Sequence, residues 1–145
     1  MPPPAGLDEP IHLCTDEAVL VDGDALASLP RRERSLEIVC ASGNRYTACW
    51  SGVELFDVLG LGSVPPETTH VAVESADGYR VCVEITRALD GLLAFARDGD
   101  PLEEIRFVAP EIGGSHAVKA VRLVECLTLS PGEDRELHEE LWPGE

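Results

Sequence analysis

The sequence predicts a mixed, strand-rich α+β fold. Short apolar segments of strand length recur along the chain between turn residues. Two of them alternate regularly on either side of Asp77-Gly78, and the stretches with helical spacing are few and brief. At 145 residues the chain has the usual size of a single domain, 1–145, with an ordered core expected over about 11–130.

Each element has a local reason. Residues 11–14 (IHLC) and 18–21 (AVLV) are brief extended segments. Residues 22–30 (DGDALASLP) read as a turn and a short helix, with Asp24 as N-cap and Pro30 closing it. Residues 36–41 (LEIVCA) read as a central strand that Ser42-Gly43-Asn44 turn back, so Cys40 stands where a strand gives way to a loop. Residues 51–62 (SGVELFDVLGLG) read as the clearest helix. Ser51 and Glu54 form an S-x-x-E capping box there, apolar residues follow at Val53, Leu55, Phe56, Val58 and Leu59, and Gly60 ends it. Residues 69–85 (THVAVESADGYRVCVEI) form a β-hairpin, from whose turn Tyr79 emerges directly. Residues 87–102 (RALDGLLAFARDGDPL) carry a short helical or turn segment and glycine-rich loops. Residues 104–110 (EIRFVAP) and 117–129 (AVKAVRLVECLTL) complete the strand set around EIGGSH.

Charge narrows the function. There are 27 acidic residues against 11 basic ones, a net charge of −16, and Lys119 is the one lysine. Such a surface repels nucleic acid and anionic membranes, so neither is an expected partner. The composition resembles that of cytosolic proteins of extreme halophiles, in which dense carboxylates keep a chain hydrated in molar salt. The apolar runs are too short to span a bilayer, and the N-terminus lacks the pattern of a secretory signal; a cytoplasmic location is expected. Five cysteines show no zinc spacing and are expected reduced, with Cys14, Cys49, Cys82 and Cys126 in core positions. His12, His70 and His138 share no ligand spacing. Walker, Rossmann, G-x-S-x-G and H-E-x-x-H motifs are absent.

Five segments, in order, resemble the molybdopterin-binding domain of the sulfite oxidase family. They are LASLPRRERSLEIVCASGNRY (26–46), WSGVELFDVLGL (50–61), SADGYRVCVEITRALD (75–90), LLAFARDGDPL (92–102) and IRFVAPEIGGSHAVKAVRLVE (105–125). The likeness points to a short member, of haloarchaeal type by its composition, with the sulfite-oxidase-like fold. It implies a molybdenum–molybdopterin cofactor and oxygen-atom transfer on a small substrate such as sulfite or a sulfoxide, with a separate protein as electron partner. Carried over by position, Cys40 would be the metal's thiolate ligand, and Arg45 and Tyr79 would face substrate. Arg106, Gly114, His116 and Lys119 would lie along the cofactor, the cations near its phosphate.

The sequence also departs from the family pattern. His116 stands where the family has an arginine, Glu103 and Glu104 fall near the anionic cofactor, and Ala120 replaces a tryptophan. The loop after Cys40 is one residue longer before Asn-Arg. Two further readings therefore stand beside the enzyme: a truncated, non-catalytic binding module, and a cofactor-free redox thiol at Cys40. The charge reading is checked by unfolding the chain at increasing KCl: the midpoint temperature is expected to rise steadily from dilute buffer to molar salt.

Overall fold

The computed structural model describes residues 10–39, 45–109, 118–134 and 139. Its elements run β1 (Ile11–Cys14), β2 (Ala18–Val21), α1 (Gly23–Ala27), β3 (Arg31–Val39), β4 (Arg45–Glu54) and α2 (Leu55–Leu59). Then come β5 (His70–Ser75), β6 (Arg80–Glu84), α3 (Ile85–Leu89), β7 (Leu92–Arg97), β8 (Asp100–Val108) and β9 (Val121–Leu127). The strands form two sheets, in the orders β2-β1-β9-β5-β6 and β3-β4-β7-β8. The first is mixed, because β1 runs parallel to β9 while its other pairs are antiparallel. The second is antiparallel throughout. The strand-rich α+β reading is therefore correct, and the helices are short.

A shared core lies between the sheets. Ile11, Leu13, Val71, Val73, Val81 and Val124 of the five-stranded sheet meet Val53, Leu93, Phe95, Ile105 and Phe107 of the four-stranded one. Alternation explains the match, since every second residue of each strand points to the same face. Burying each large side chain contributes about 1.5–3 kcal/mol. The short helices close one end, with Leu26 of α1, Leu55, Val58 and Leu59 of α2, and Ala88 of α3 turned into this core.

The four-stranded sheet is apolar on its other face too. Leu36, Ala48, Trp50, Leu92, Ala94 and Val108 form a second, smaller cluster there, with Leu102 packed against it. Strand β7 is thus buried on both sides at Leu92, Leu93, Ala94 and Phe95, which is why its sequence reads as a continuous apolar run and not as the glycine-rich loop expected from the sequence.

Three further expectations are corrected. The S-x-x-E pair does not cap a helix: Ser51 and Glu54 lie in β4, α2 begins at Leu55, and Glu54 makes no side-chain cap bond. Pairing of Ser51 with Glu33 of β3 and of Glu54 with Leu92 of β7 holds these residues extended and overrides the local capping signal. Helix α1 is capped by Asp22, whose Oδ1 accepts from the Ala25 N–H at 2.8 Å, not by Asp24. Of the 36–41 segment, residues 36–39 are the end of β3, which occupies an edge of its sheet and not the centre, and residues 40 and 41 lie outside the described residues.

Strand β4 approaches β7 so closely at Gly52 that a Cβ there would sit 2.0 Å from the Leu93 carbonyl oxygen and 2.7 Å from Ala94 Cα. Neither atom can move without breaking the sheet, so glycine is required. Gly52→Ala is expected to cost at least about 2–3 kcal/mol, measured as a fall in the urea midpoint of the full chain.

Candidate functional site

The chain brings two cations together where the sheets join. After β8 a segment returns so that Lys119 forms an antiparallel bridge with Arg106, while the Phe107 N–H donates to the Val118 carbonyl at 2.8 Å. Directly opposed residues project to the same side of a ladder, so the two side chains share one face. Lys119 is exposed and Arg106 half-buried. One residue on, Ala120 adopts a positive φ of 54° and its carbonyl accepts from the Ala76 N–H at 3.0 Å. The same short segment thus ties β8 of one sheet to the β5–β6 turn of the other.

That turn carries Tyr79. The Ser75 N–H donates to the Tyr79 carbonyl at 2.7 Å, the Tyr79 N–H donates to Ser75 Oγ at 3.1 Å, and the Ser75 hydroxyl donates to Asp77 Oδ1. Gly78, at φ 93°, provides the positive dihedral that the turn needs. The Tyr79 ring does not stand out from the turn: it is 3% exposed and belongs to the core between the sheets.

Arg45 lies elsewhere. It opens β4 opposite Val39, and its Nη1 meets Glu37 Oε1 at 3.1 Å, with both side chains well exposed. Gly52, Ala94 and Arg106 are level across the sheet, so the steps from Arg45 to Gly52, each about 3.3 Å, put roughly 20 Å along the strand between Arg45 and Arg106. Arg106 and Lys119 are therefore together, close to the Tyr79 turn, and Arg45 is at the far end of the hairpin. Cys40, Gly114 and His116 lie outside the described residues.

Sequence reasoning missed Arg97. Alternation from Leu92 and Ala94 would place Ala96, not Arg97, on the face of Trp50. A bulge intervenes: β7 pairs Ala94 with Gly52 and Ala96 with Ser51, leaving Phe95 unpaired, and Arg97 is brought opposite Trp50. Its guanidinium carbon lies 5.9 Å from the Trp50 ring centroid, and that of Arg106 lies 5.6 Å away. Trp50 is fully buried, and its Nε1 has no hydrogen-bond partner among the described residues. Two guanidinium groups therefore lie over one indole, and Glu104 is an exposed carboxylate two residues before Arg106 on β8.

Other features are less promising as chemistry. A cavity of about 380 Å³ lies among the short helices, lined by Leu29, Phe56, Asp57, Leu59, Gly60, Leu61, Val64 and Leu89, and it is almost wholly apolar. Among the described residues no group of three or more His, Cys, Asp or Glu side chains is placed to hold a metal ion. No helix among them is long and apolar enough to cross a membrane. Cys82 is buried and Cys14 and Cys126 are half-buried, but Cys49 is exposed, against its expected core position. Cys49 lies in β4 beyond the Trp50 cluster, where its backbone N–H and carbonyl are held by Asp98.

Comparison with known proteins places this geometry. Residues 10–132 match the family described as oxidoreductase molybdopterin binding domain. No curated protein sequence matches the chain. Among solved structures, the sulfane dehydrogenase SoxCD from Paracoccus pantotrophus superposes with a TM-score of 0.78 at 21% identity, over 91% of this chain and 41% of the SoxCD chain. At that identity the likeness is one of fold, and the present chain spans about two fifths of its neighbour's length.

The thiols offer a check on these placements. Burial pushes the Cys126 thiol above its ordinary value, outweighing the opposing effect of the Thr68 hydroxyl. Less of it is thiolate at any given pH, so its alkylation is expected to begin at higher pH than that of a free peptide cysteine. Peptide mass mapping after iodoacetamide treatment of the folded chain at pH 8 should show Cys49 modified and Cys126 and Cys82 largely protected.

Proposed function

We propose, for a chain that belongs to the oxidoreductase molybdopterin binding domain family, that it holds a molybdenum–molybdopterin cofactor and acts in oxygen-atom transfer on a small substrate such as sulfite or a sulfoxide. The observation that carries this reading is the bridge between Arg106 and Lys119. Residues distant in sequence converge as two cations on one face, in a chain whose net charge is −16. Two cations that project to one face can approach a single anionic group together.

The donor set fits the anionic end of the cofactor. Arginine offers a planar fork to phosphate oxygens and lysine a point charge, so Arg106 and Lys119 would hold the phosphate, with His116 beside them and Gly114 allowing close backbone approach. Cys40 would be the metal's protein ligand, since soft thiolate suits such a centre. Once bound, the metal centre supplies the two-electron oxygen transfer, which no side chain can perform.

The chain's own task is to bind and orient. Arg45 would meet an oxyanion substrate through its guanidinium. Its exposed ion pair with Glu37 is worth little in water, so exchanging that carboxylate for substrate costs little. Tyr79 would contribute its hydroxyl from the turn beside Ala120. The electrons would pass to a separate protein, in the cytoplasm of a cell that maintains high salt.

A second reading, a non-catalytic member that keeps the fold as a binding module, is favoured by the Tyr79 ring, buried at 3% exposure. Metal and pterin analysis of protein purified from its native host separates the two. About one molybdenum and one pterin per chain are expected, with metal lost in Cys40→Ser and pterin content falling at least tenfold in an Arg106→Gln, Lys119→Gln double variant. A folded chain free of metal and pterin would establish the binding module.

A further inference from the structure

We propose that the apolar cavity among the short helices is a binding site for a small organic ammonium ion, a short alkyl or aryl body carrying a single positive charge, with Asp57 as its counter-ion. The site uses none of the residues assigned to the cofactor.

Backbone hydrogen bonds fix the walls. The Leu55 N–H donates to the Gly91 carbonyl at 3.0 Å, which locks the start of α2 to the end of α3, and the Leu61 N–H donates to the Val58 carbonyl at 3.0 Å. The next residues are tied to the β1–β2 turn, where the Asp16 N–H donates to the Ser63 carbonyl at 3.1 Å and the Ser63 N–H to Thr15 Oγ1 at 3.2 Å. At about 380 Å³ the cavity falls within the roughly 300–1,000 Å³ of small-molecule sites. Three large apolar side chains are exposed among the described residues, and two of them, Phe56 at 60% and Val64 at 39%, line this cavity. Apolar surface in contact with water is thus concentrated at its mouth, where an occupant would cover it.

Charge selects the ligand class. Asp57 is the one ionisable residue of the lining. It is half-buried, and its carboxylate makes no ion pair or hydrogen bond with any described residue. The neighbouring cations are engaged elsewhere: Arg31 lies over the Phe95 ring at 5.2 Å, and Arg34 is committed to Glu54 at 2.7 Å. An anionic ligand would be repelled by Asp57, and a neutral apolar one would strip water from the carboxylate with nothing in return. A primary ammonium offers three N–H donors to that carboxylate, and its charge is also attracted to an aromatic face such as that of Phe56. The apolar walls meanwhile take up the body of the molecule.

The test uses the full chain and hexylammonium chloride, titrated by calorimetry at fixed KCl beside 1-hexanol and sodium hexanoate, which keep the body and change the head. One-to-one binding of hexylammonium is expected, at least fivefold tighter than 1-hexanol, with hexanoate the weakest. Shortening hexyl to butyl should weaken binding roughly tenfold, because two CH₂ groups leave an apolar site. Asp57→Asn should bring hexylammonium within twofold of 1-hexanol, and Val64→Trp, at an exposed position, should weaken both at least tenfold by filling the mouth. Glu67→Gln, which removes an equal charge from an exposed residue outside the lining, should leave the affinity unchanged. Absence of saturable binding would overturn the proposal. So would equal affinities for ammonium and alcohol, equal losses in Asp57→Asn and Glu67→Gln, or undiminished binding in Val64→Trp. If Asp57→Asn fails to fold, the ammonium-to-alcohol ratio of the parent and the Val64→Trp variant decide. Sedimentation of the ligand-free chain tests for another occupant: a dimer that Phe56→Ser dissociates would assign this face to a second copy and overturn the small-ligand reading. Hundredfold tighter binding of a synthetic leucine–lysine helix, lost in Val64→Trp, would assign it to a partner protein, with the same result.

Discussion

The close passage of β4 over β7 is the constraint on which the rest of the four-stranded sheet depends. At Gly52 the strands approach until nothing larger than a hydrogen fits against the Leu93 carbonyl, and the register slips by one residue beside it. Phe95 keeps the main-core face that it shares with Leu93, and after the slip Arg97 swings to the opposite face. Without it, a guanidinium would point into the apolar space between the sheets, where its desolvation would be prohibitive. One local defect thus keeps the main core apolar and supplies the outer face with a cation.

The joint between the sheets has a similar economy. Residues 118–121 pair in turn with β8, with the β5–β6 turn and with β5 itself. Movement of that segment would shift Lys119 against Arg106 and the Tyr79 turn at once. The left-handed backbone at Ala120 is where the chain changes sheets, and a small side chain minimises the steric cost of that conformation. The cationic face is therefore placed by long-range pairing, on a scaffold whose strands are held from both sides.

How much of this could be read from the sequence differs by element. The β1 and β2 segments, and the hairpin around Asp77-Gly78, carry period-two patterns and turn chemistry strong enough to fix their ends. Local signals misled where tertiary pairing outweighed them: Ser51 and Glu54 satisfy a capping rule but are claimed by β3 and β7, and the continuous apolar run of β7 is explained only by a second cluster under Trp50. Arg106 and Lys119 were singled out through family resemblance, but the bridge that pairs them was not foreseen. The position of Arg97 over Trp50 was not foreseen either, because a bulge leaves no mark in the sequence and alternation across it points the wrong way. The burial of Tyr79 was likewise hidden, since a residue after a turn reads as exposed until the facing sheet is known.

One contact at the outer rim has a meaning for the chain's life among its own copies. Strand β6 ends the order of the five-stranded sheet, and a strand in that position offers backbone donors to any extended segment nearby. Here the Cys82 N–H already donates to Glu139 Oε2 at 2.9 Å. The donor that would welcome another backbone is held by a carboxylate, which puts a negative charge where a second sheet would dock. Salt weakens charge repulsion over longer distances, whereas a donor already occupied at the edge opposes edge-to-edge pairing at short range whatever the ionic strength.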